Sequence, residues 1–285
     1  MTMKNAVSTI NDMHVIVDLA GARRPTAIAA DLARQLDAHL TGVALAFEPV
    51  VPVYTMTTPL PTDLIVAAHE QAVNDAKAAA AAFGKIAGAA GICYESRTTE
   101  SVGADGLEGV TRTLAMSDLV VVGQQNPDAP EPMREALIEA MLFQSGAPLL
   151  IVPYCGVNTF SPGRAVVAWD GGAASAHAVR AAMPLLHLAN EVVVVIVRES
   201  IKRSTELAGA DIATHLARHN LHVEVREITN ATGDIGQTIL SFTADESADW
   251  LVMGGYGHSR MREFFLGGAT RGILESMTLP VLMAH

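Results

Sequence analysis

Ala248-Asp249-Trp250-Leu251-Val252-Met253-Gly254-Gly255-Tyr256-Gly257 runs a short apolar segment into three glycines, and nine residues after Gly257 comes Gly267-Gly268-Ala269-Thr270. The apolar part has the length and composition of a buried strand, and the residues after Thr270 read as the first turns of a helix. Glycines between a strand and a helix let the backbone approach a ligand without a Cβ in the way. A helix N-terminus adds free N–H groups and a favourable dipole, so the natural guest is a phosphate. Isolated turn glycines are the plainer alternative, but Gly-x-x-Gly, a nine-residue spacer and Gly-Gly before Thr set a narrower condition.

The same pattern occurs earlier in the chain. Ser117-Asp118-Leu119-Val120-Val121-Val122-Gly123 matches Ala248 to Gly254 at an offset of 131, and Ala147-Pro148-Leu149-Leu150-Ile151 matches Leu279 to Met283 at an offset of 132. Upstream, His14-Val15-Ile16-Val17-Asp18 and Ala165-Val166-Val167-Ala168-Trp169-Asp170 both read as a buried strand closed by Asp. Two copies of one unit explain these matches most simply, with residues 1–155 and 156–285 as the two domains. A length of 285 residues suits two ordinary domains, each able to bury a core.

The glycine pattern resembles the universal stress protein family, whose nucleotide-binding members carry Gly-x2-Gly-x9-Gly-(Ser/Thr) between the fourth strand and the fourth helix. Gly254, Gly257 and Gly267 fit, whereas Gly268 stands where Ser or Thr is usual and so lacks one hydroxyl donor. The resemblance implies an ATP site, with Mg or Mn as the accompanying ion, at Asp170, Val197, Met253, Gly254, Gly257, Gly267, Gly268, Ala269 and Thr270. Asp170 is then expected on the ribose and phosphate side and the backbone near Val197 at the adenine edge. Arg260, Arg262 and Arg271 are candidate helpers for the phosphates, with solvated surface as the alternative for each.

In the second copy, strands are expected at 164–169, 191–198, 222–228, 250–253 and 281–284, alternating with helices at 173–188, 205–220, 235–246 and 269–276. Nearly continuous Val, Ile and Leu marks strands covered on both faces, so each copy is expected to be an α/β domain with a doubly wound parallel sheet. Pro184 falls inside the first of these helices and removes one donor there. The first copy follows the same order with a proline-punctuated loop, Pro49 to Pro61, before an alanine-rich helix from about Asp63 to Gly88. It departs from the signature, because Gln124-Gln125-Asn126 replaces the glycine turn and Glu135-Ala136 stands opposite Gly267-Gly268. With Glu131 close by, carboxylates and side chains at the phosphate position would repel and obstruct a triphosphate, so the first copy is expected to be a degenerate packing partner, which leaves one competent site per chain, or else to be rebuilt for another ligand.

The formal net charge of −11 argues against a nucleic-acid partner, and no apolar run reaches the roughly 20 residues of a membrane span. Cys93 and Cys155 lie in different copies without metal spacing, and no secretory leader is legible, so the expected location is cytoplasmic. Asp211, His215 and His219 recur every four residues and are consistent either with a metal site or with an exposed polar stripe. Asp170-Gly171-Gly172-Ala173-Ala174-Ser175 is faintly similar to the Ser-Gly-Gly-x-Asp-Ser loop of ATP pyrophosphatases but lacks its opening Ser and its Asp. The leading functional reading is a nucleotide-binding regulatory protein with slow or no turnover. A slow metal-dependent ATPase using Asp170 and a non-nucleotide interaction module are the alternatives. The last strands of the two copies, Pro148 to Val152 and Pro280 to Ala284, are apolar edges that must be covered, and the resemblance implies that they pair within one chain as a pseudo-dimer, with a homodimer as a further option.

Overall fold

The computed structural model describes residues 10–21, 23–47, 62–102, 106–198, 206–229, 234–255 and 268–285. In chain order the first half holds β1 (Asp12–Ile16), α1 (Arg24–Leu36), β2 (His39–Phe47), α2 (Thr62–Ala90), β3 (Tyr94–Val102), α3 (Gly106–Leu114), β4 (Leu119–Gly123), α4 (Arg134–Ala140) and β5 (Leu149–Val152). A π-helical turn, Met141–Ser145, continues α4. The second half repeats the order with β6 (Arg164–Ala168), α5 (Ala173–Leu186), β7 (Glu191–Arg198), α6 (Glu206–Arg218), β8 (Val223–Thr229), α7 (Ile235–Asp245), β9 (Trp250–Gly254), α8 (Gly268–Ser276) and β10 (Val281–Ala284). The fold is the expected α/β class, and Pro184 sits near the end of α5 without interrupting it.

All ten strands form one sheet in the order β3-β2-β1-β4-β5-β10-β9-β6-β7-β8. Every neighbouring pair is parallel except β5 and β10, which run antiparallel with Leu150 opposite Leu282. Each half therefore contributes five strands, and the two halves join through their last strands. Val-rich strands such as Val192–Val195 are almost wholly buried because helices cover both faces, which is the environment β-branched side chains fit best. One face packs α1, α2, α5 and α6 into a core that includes Ile28, Phe83, Val179 and Leu216. The other packs α3, α4, α7 and α8 around Leu114, Leu137, Ile239 and Ile273. The outer edges are blunted by charge, with Arg97–Glu95 on β3 at 2.8 Å and Arg226–Glu224 on β8 at 2.7 Å.

In both halves the chain steps outward through three strands and then returns to the inner side of the first. The reversal lies between β1 and β4 and again between β6 and β9. Crevices form where successive crossovers diverge in this way, at the carboxyl ends of the strands.

Candidate functional site: two crevices at the strand ends

Ala168 pairs with Met253, so β6 and β9 end side by side and release Asp170 and Gly254 on the same edge of the sheet. Gly254 is required there by space. A Cβ on it would lie 2.5 Å from Ser175 N and 2.7 Å from Ala174 C, both backbone atoms of the first turn of α5. This close approach seats the start of α5 directly on the end of β9. Asp170 is exposed, and its Oδ1 accepts from Gly172 N at 2.8 Å and from Ser175 Oγ at 2.6 Å. The carboxylate thus closes its own loop, whose Gly171 needs φ +78, and ties it to the Ser175 hydroxyl in the first turn of α5. Trp169 N donates to Val195 O at 2.9 Å, which places the end of β7, including partly buried Val197, beside the same loop.

The opening of α8 is held from below by α7. Asp234 caps α7 by accepting from Gly236 N at 2.7 Å, and Gly272 passes so close that a Cβ would stand 2.9 Å from Asp234 Oδ2. Gly236 faces Ala269 O at 2.7 Å from its own would-be Cβ. Two glycine contacts therefore fix the first turn of α8, with Thr270 buried, Ala269 half-buried and Gly268 exposed with nothing within 4 Å of an added Cβ. Gly268 is accordingly not demanded by packing. Gly257, Gly267, Arg260 and Arg262 lie outside the described residues. Arg271 is exposed and pairs with Glu275 at 2.7 Å one turn on, so the structure places it on the helix surface with a partner of its own.

The first half has the corresponding crevice with different contents. Gly123 again closes the inner strand, and a Cβ there would meet Asp18 Oδ1 and Pro25 Cγ, both at 3.0 Å. Asp18 receives Arg134 Nη2 at 2.9 Å, and the same guanidinium is bonded to Glu131, whose Oε1 accepts from Leu19 N at 2.8 Å. Burial pushes the Asp18 carboxyl up to about 6, helped by the charge of Glu131 and opposed by Arg134 and Arg23. Arg134 was not singled out from the sequence; it sets a counter-charge between Asp18 and Glu131 in this crevice. Glu131 is bound up with Arg134 while Glu135 is exposed. The available signal was an Arg three residues after Glu131, the spacing that meets on one helical turn.

Gln124 and Gln125, which replace the glycine turn, are bonded rather than mobile substitutes. Gln125 spans Glu131 with its side chain, and Gln124 donates to Leu274 O of α8 at 2.8 Å while accepting from Tyr154 N at 3.1 Å. At the end of α6 the rings of His215 and His219, the latter just past the helix, lie 4.8 Å apart, and His187 stands 6.4 Å from His219. Among the described residues, however, no set of three His, Cys, Asp or Glu is arranged to hold a metal. Nor, among those residues, is any helix long and apolar enough to cross a membrane. Cys93 and Cys155 are free thiols.

Comparison with known proteins bears on the fold and on part of the chain. A universal stress protein of Archaeoglobus fulgidus DSM 4304 superposes with a TM-score of 0.73 over 97% of both chains at 14% identity. A functionally unknown protein of Pseudomonas aeruginosa PAO1 does so with a TM-score of 0.57, over 97% of this chain and 92% of that one, also at 14% identity. At such identities the likeness is one of fold. In sequence, 56 residues are 34% identical to a universal stress protein of Synechocystis, a match that covers 20% of this chain and 20% of that protein. The model of the Universal stress protein family matches residues 163–285, which sets a domain of that family in the C-terminal half of the chain.

Proposed function

We propose that the protein is a tandem universal stress protein in which residues 156–285 bind one adenine nucleotide, ATP, and residues 1–155 are a degenerate second copy that does not. The observation that carries the reading is the contact of Gly254 with Ala174 and Ser175, which sets the glycine-rich exit of β9 against the loop that presents Asp170. Strand ends at a reversal point, a helix that opens on Gly268-Ala269-Thr270, and an exposed carboxylate across the crevice suit a phosphate chain and a ribose. Both bonds made to Asp170 among the described residues fall on Oδ1. A Mg or Mn ion carried by the nucleotide asks for only one or two protein carboxylates beside the phosphate oxygens, a requirement that Asp170 meets. The net charge of −11 does not oppose this, since backbone amides hold the phosphates locally.

The role that follows is regulatory: bound nucleotide shifts conformation or assembly. The test is direct. The purified protein is denatured and the supernatant examined for adenine nucleotide, then the emptied protein is refilled with ATP. Released or rebound nucleotide, lost on Gly257→Glu, is the expected result. A protein that neither carries nor takes up nucleotide is an interaction module, and the proposal fails.

A further inference from the structure

Asp18 and Asp170 close corresponding strands, yet they are bonded in opposite senses. Asp170 turns toward its own helix and takes the Ser175 hydroxyl at 2.6 Å. Asp18 turns across the crevice and takes Arg134 Nη2 at 2.9 Å. Pro25 faces Gly123 as Ala174 faces Gly254, so Thr26 in the first turn of α1 is the counterpart of Ser175. Thr26 is fully buried, and its Oγ1 has no hydrogen-bond partner. Two more buried atoms at this place, Arg134 Nη1 and Arg23 Nε, are likewise without partners; the fourth such atom among the described residues is Trp169 Nε1, next to Asp170. Buried polar groups are nearly always paired, so orphans on Arg134, which bonds Asp18, on Arg23, whose charge acts on it, and on Thr26, next in the chain to the Pro25 that meets Gly123 beside Asp18, mark an arrangement held against an alternative. The backbone carries strain at the same spot, since Arg23 and Met133, which precede α1 and α4, hold φ of 47 and 57 without being glycine.

We propose that Arg134 is an internal latch that fills and shuts the first crevice, and that withdrawing it returns Asp18 to Thr26, the bond that Asp170 already makes with Ser175. The closed state satisfies the charges of Asp18 and Glu131 at the expense of the Thr26 hydroxyl. The open state satisfies Thr26 and frees the guanidinium. Acid favours opening. The groups that face Asp18 are Arg134 and Glu131 from the α4 side and Arg23 from the α1 side, and burial holds the Asp18 carboxyl near 6 against the two arginines. Below that pH the carboxyl is neutral, the ion pair is lost, and a hydrogen bond to Thr26 becomes the better partner.

The test is a cycle on the full chain read by urea unfolding. At pH 7.5, Thr26→Val replaces a buried hydroxyl that has no partner by a methyl group and should raise the folding equilibrium or leave it unchanged, not lower it. In the Arg134→Met background the same change should lower it about tenfold, because the hydroxyl is then bonded. Equal effects in the two backgrounds would overturn the latch. If Arg134→Met does not fold, the same comparison is made with Arg134 intact at pH 7.5 and pH 5. A cost of Thr26→Val that emerges only at pH 5 supports the latch, and an identical cost at both pH values overturns it. At constant pH, the hydrogen-exchange protection factor of Leu19, whose amide is held by Glu131, should fall in Arg134→Met, and an unchanged protection factor contradicts the latch.

Discussion

Gly254 leaves no room for a methyl group, because the nearest atoms to an added Cβ are the Ser175 amide nitrogen and the Ala174 carbonyl carbon, neither of which can swing aside. Gly254→Ala should therefore push the first turn of α5 off β9, cost about 1–3 kcal/mol of stability, and weaken nucleotide binding. Gly268→Ser should do neither harm: the site has nothing within 4 Å of a Cβ, and the hydroxyl adds a donor, so stability should hold and affinity rise by a few fold. Thermal melts with and without ATP read both changes, and a harmless Gly254→Ala would remove the steric argument. Asp18 is legible through its pH dependence. Its folded value, about 6, lies above the ordinary 3.8, so ionised Asp18 costs stability at neutral pH and that cost is relieved as pH falls from about 6 toward 4. Relative to Asp18→Asn, the wild type should gain on the order of 2 kcal/mol between pH 7.5 and pH 4.5. A difference that stays flat, or that falls with pH, would mean the Arg134 ion pair outweighs burial. The places of Asp170 and Gly254 at neighbouring strand ends could be read from the sequence, because a strand-closing Asp and a strand-to-helix glycine are local patterns, whereas their proposed role came from the resemblance to universal stress proteins. Ser175 and Arg134 could not be read in this way, since their roles depend on which neighbour a carboxylate turns toward.

The elements of the second half fall where alternating Val-rich runs and amphipathic runs put them, with β7 and β10 at the expected bounds and the helices within two residues at most ends. Burial on both faces erases the alternation of polar and apolar residues, so these strands read as short continuous Val-rich runs, set apart from helices by length and β-branching. The π-helical turn Met141–Ser145 had no sequence signal; it lies where the end of α4 meets the opposite half, with Leu142 3.6 Å from where a Gly255 Cβ would stand. The seat of α8 was equally hidden. It depends on Asp234, which caps α7 and touches the backbone of α8 at Gly272, two helices that no sequence spacing links. Asp234→Ala should cost about 1 kcal/mol as a lost cap. It should also loosen the first turn of α8 and so reduce nucleotide affinity more than stability alone explains. Asp234→Asn, which keeps the cap, should restore both; affinity unchanged by Asp234→Ala would detach α8 from the site.

At the scale of the molecule the sheet is continuous across the two halves, and the antiparallel pair of β5 and β10 is what joins them. The apolar composition of the two last strands showed that each edge must be covered, and the resemblance to universal stress proteins supplied the partner. The cross-links by Gln124 to Leu274 O and of Gly255 onto Leu142 were not foreseeable, being products of the assembled interface. A fragment of residues 156–285 exposes the β10 edge and should dimerise in solution; a strictly monomeric fragment would show that this edge does not drive pairing. The central claim is that the two halves share a fold but not a ligand, the second crevice being framed by Gly254 and Asp170 and the first filled by Arg134. Calorimetric titration of the nucleotide-free chain with ATP tests it most directly. The account predicts one nucleotide per chain, abolished by Gly257→Glu, whereas a stoichiometry of two, or binding that survives that substitution, would contradict it.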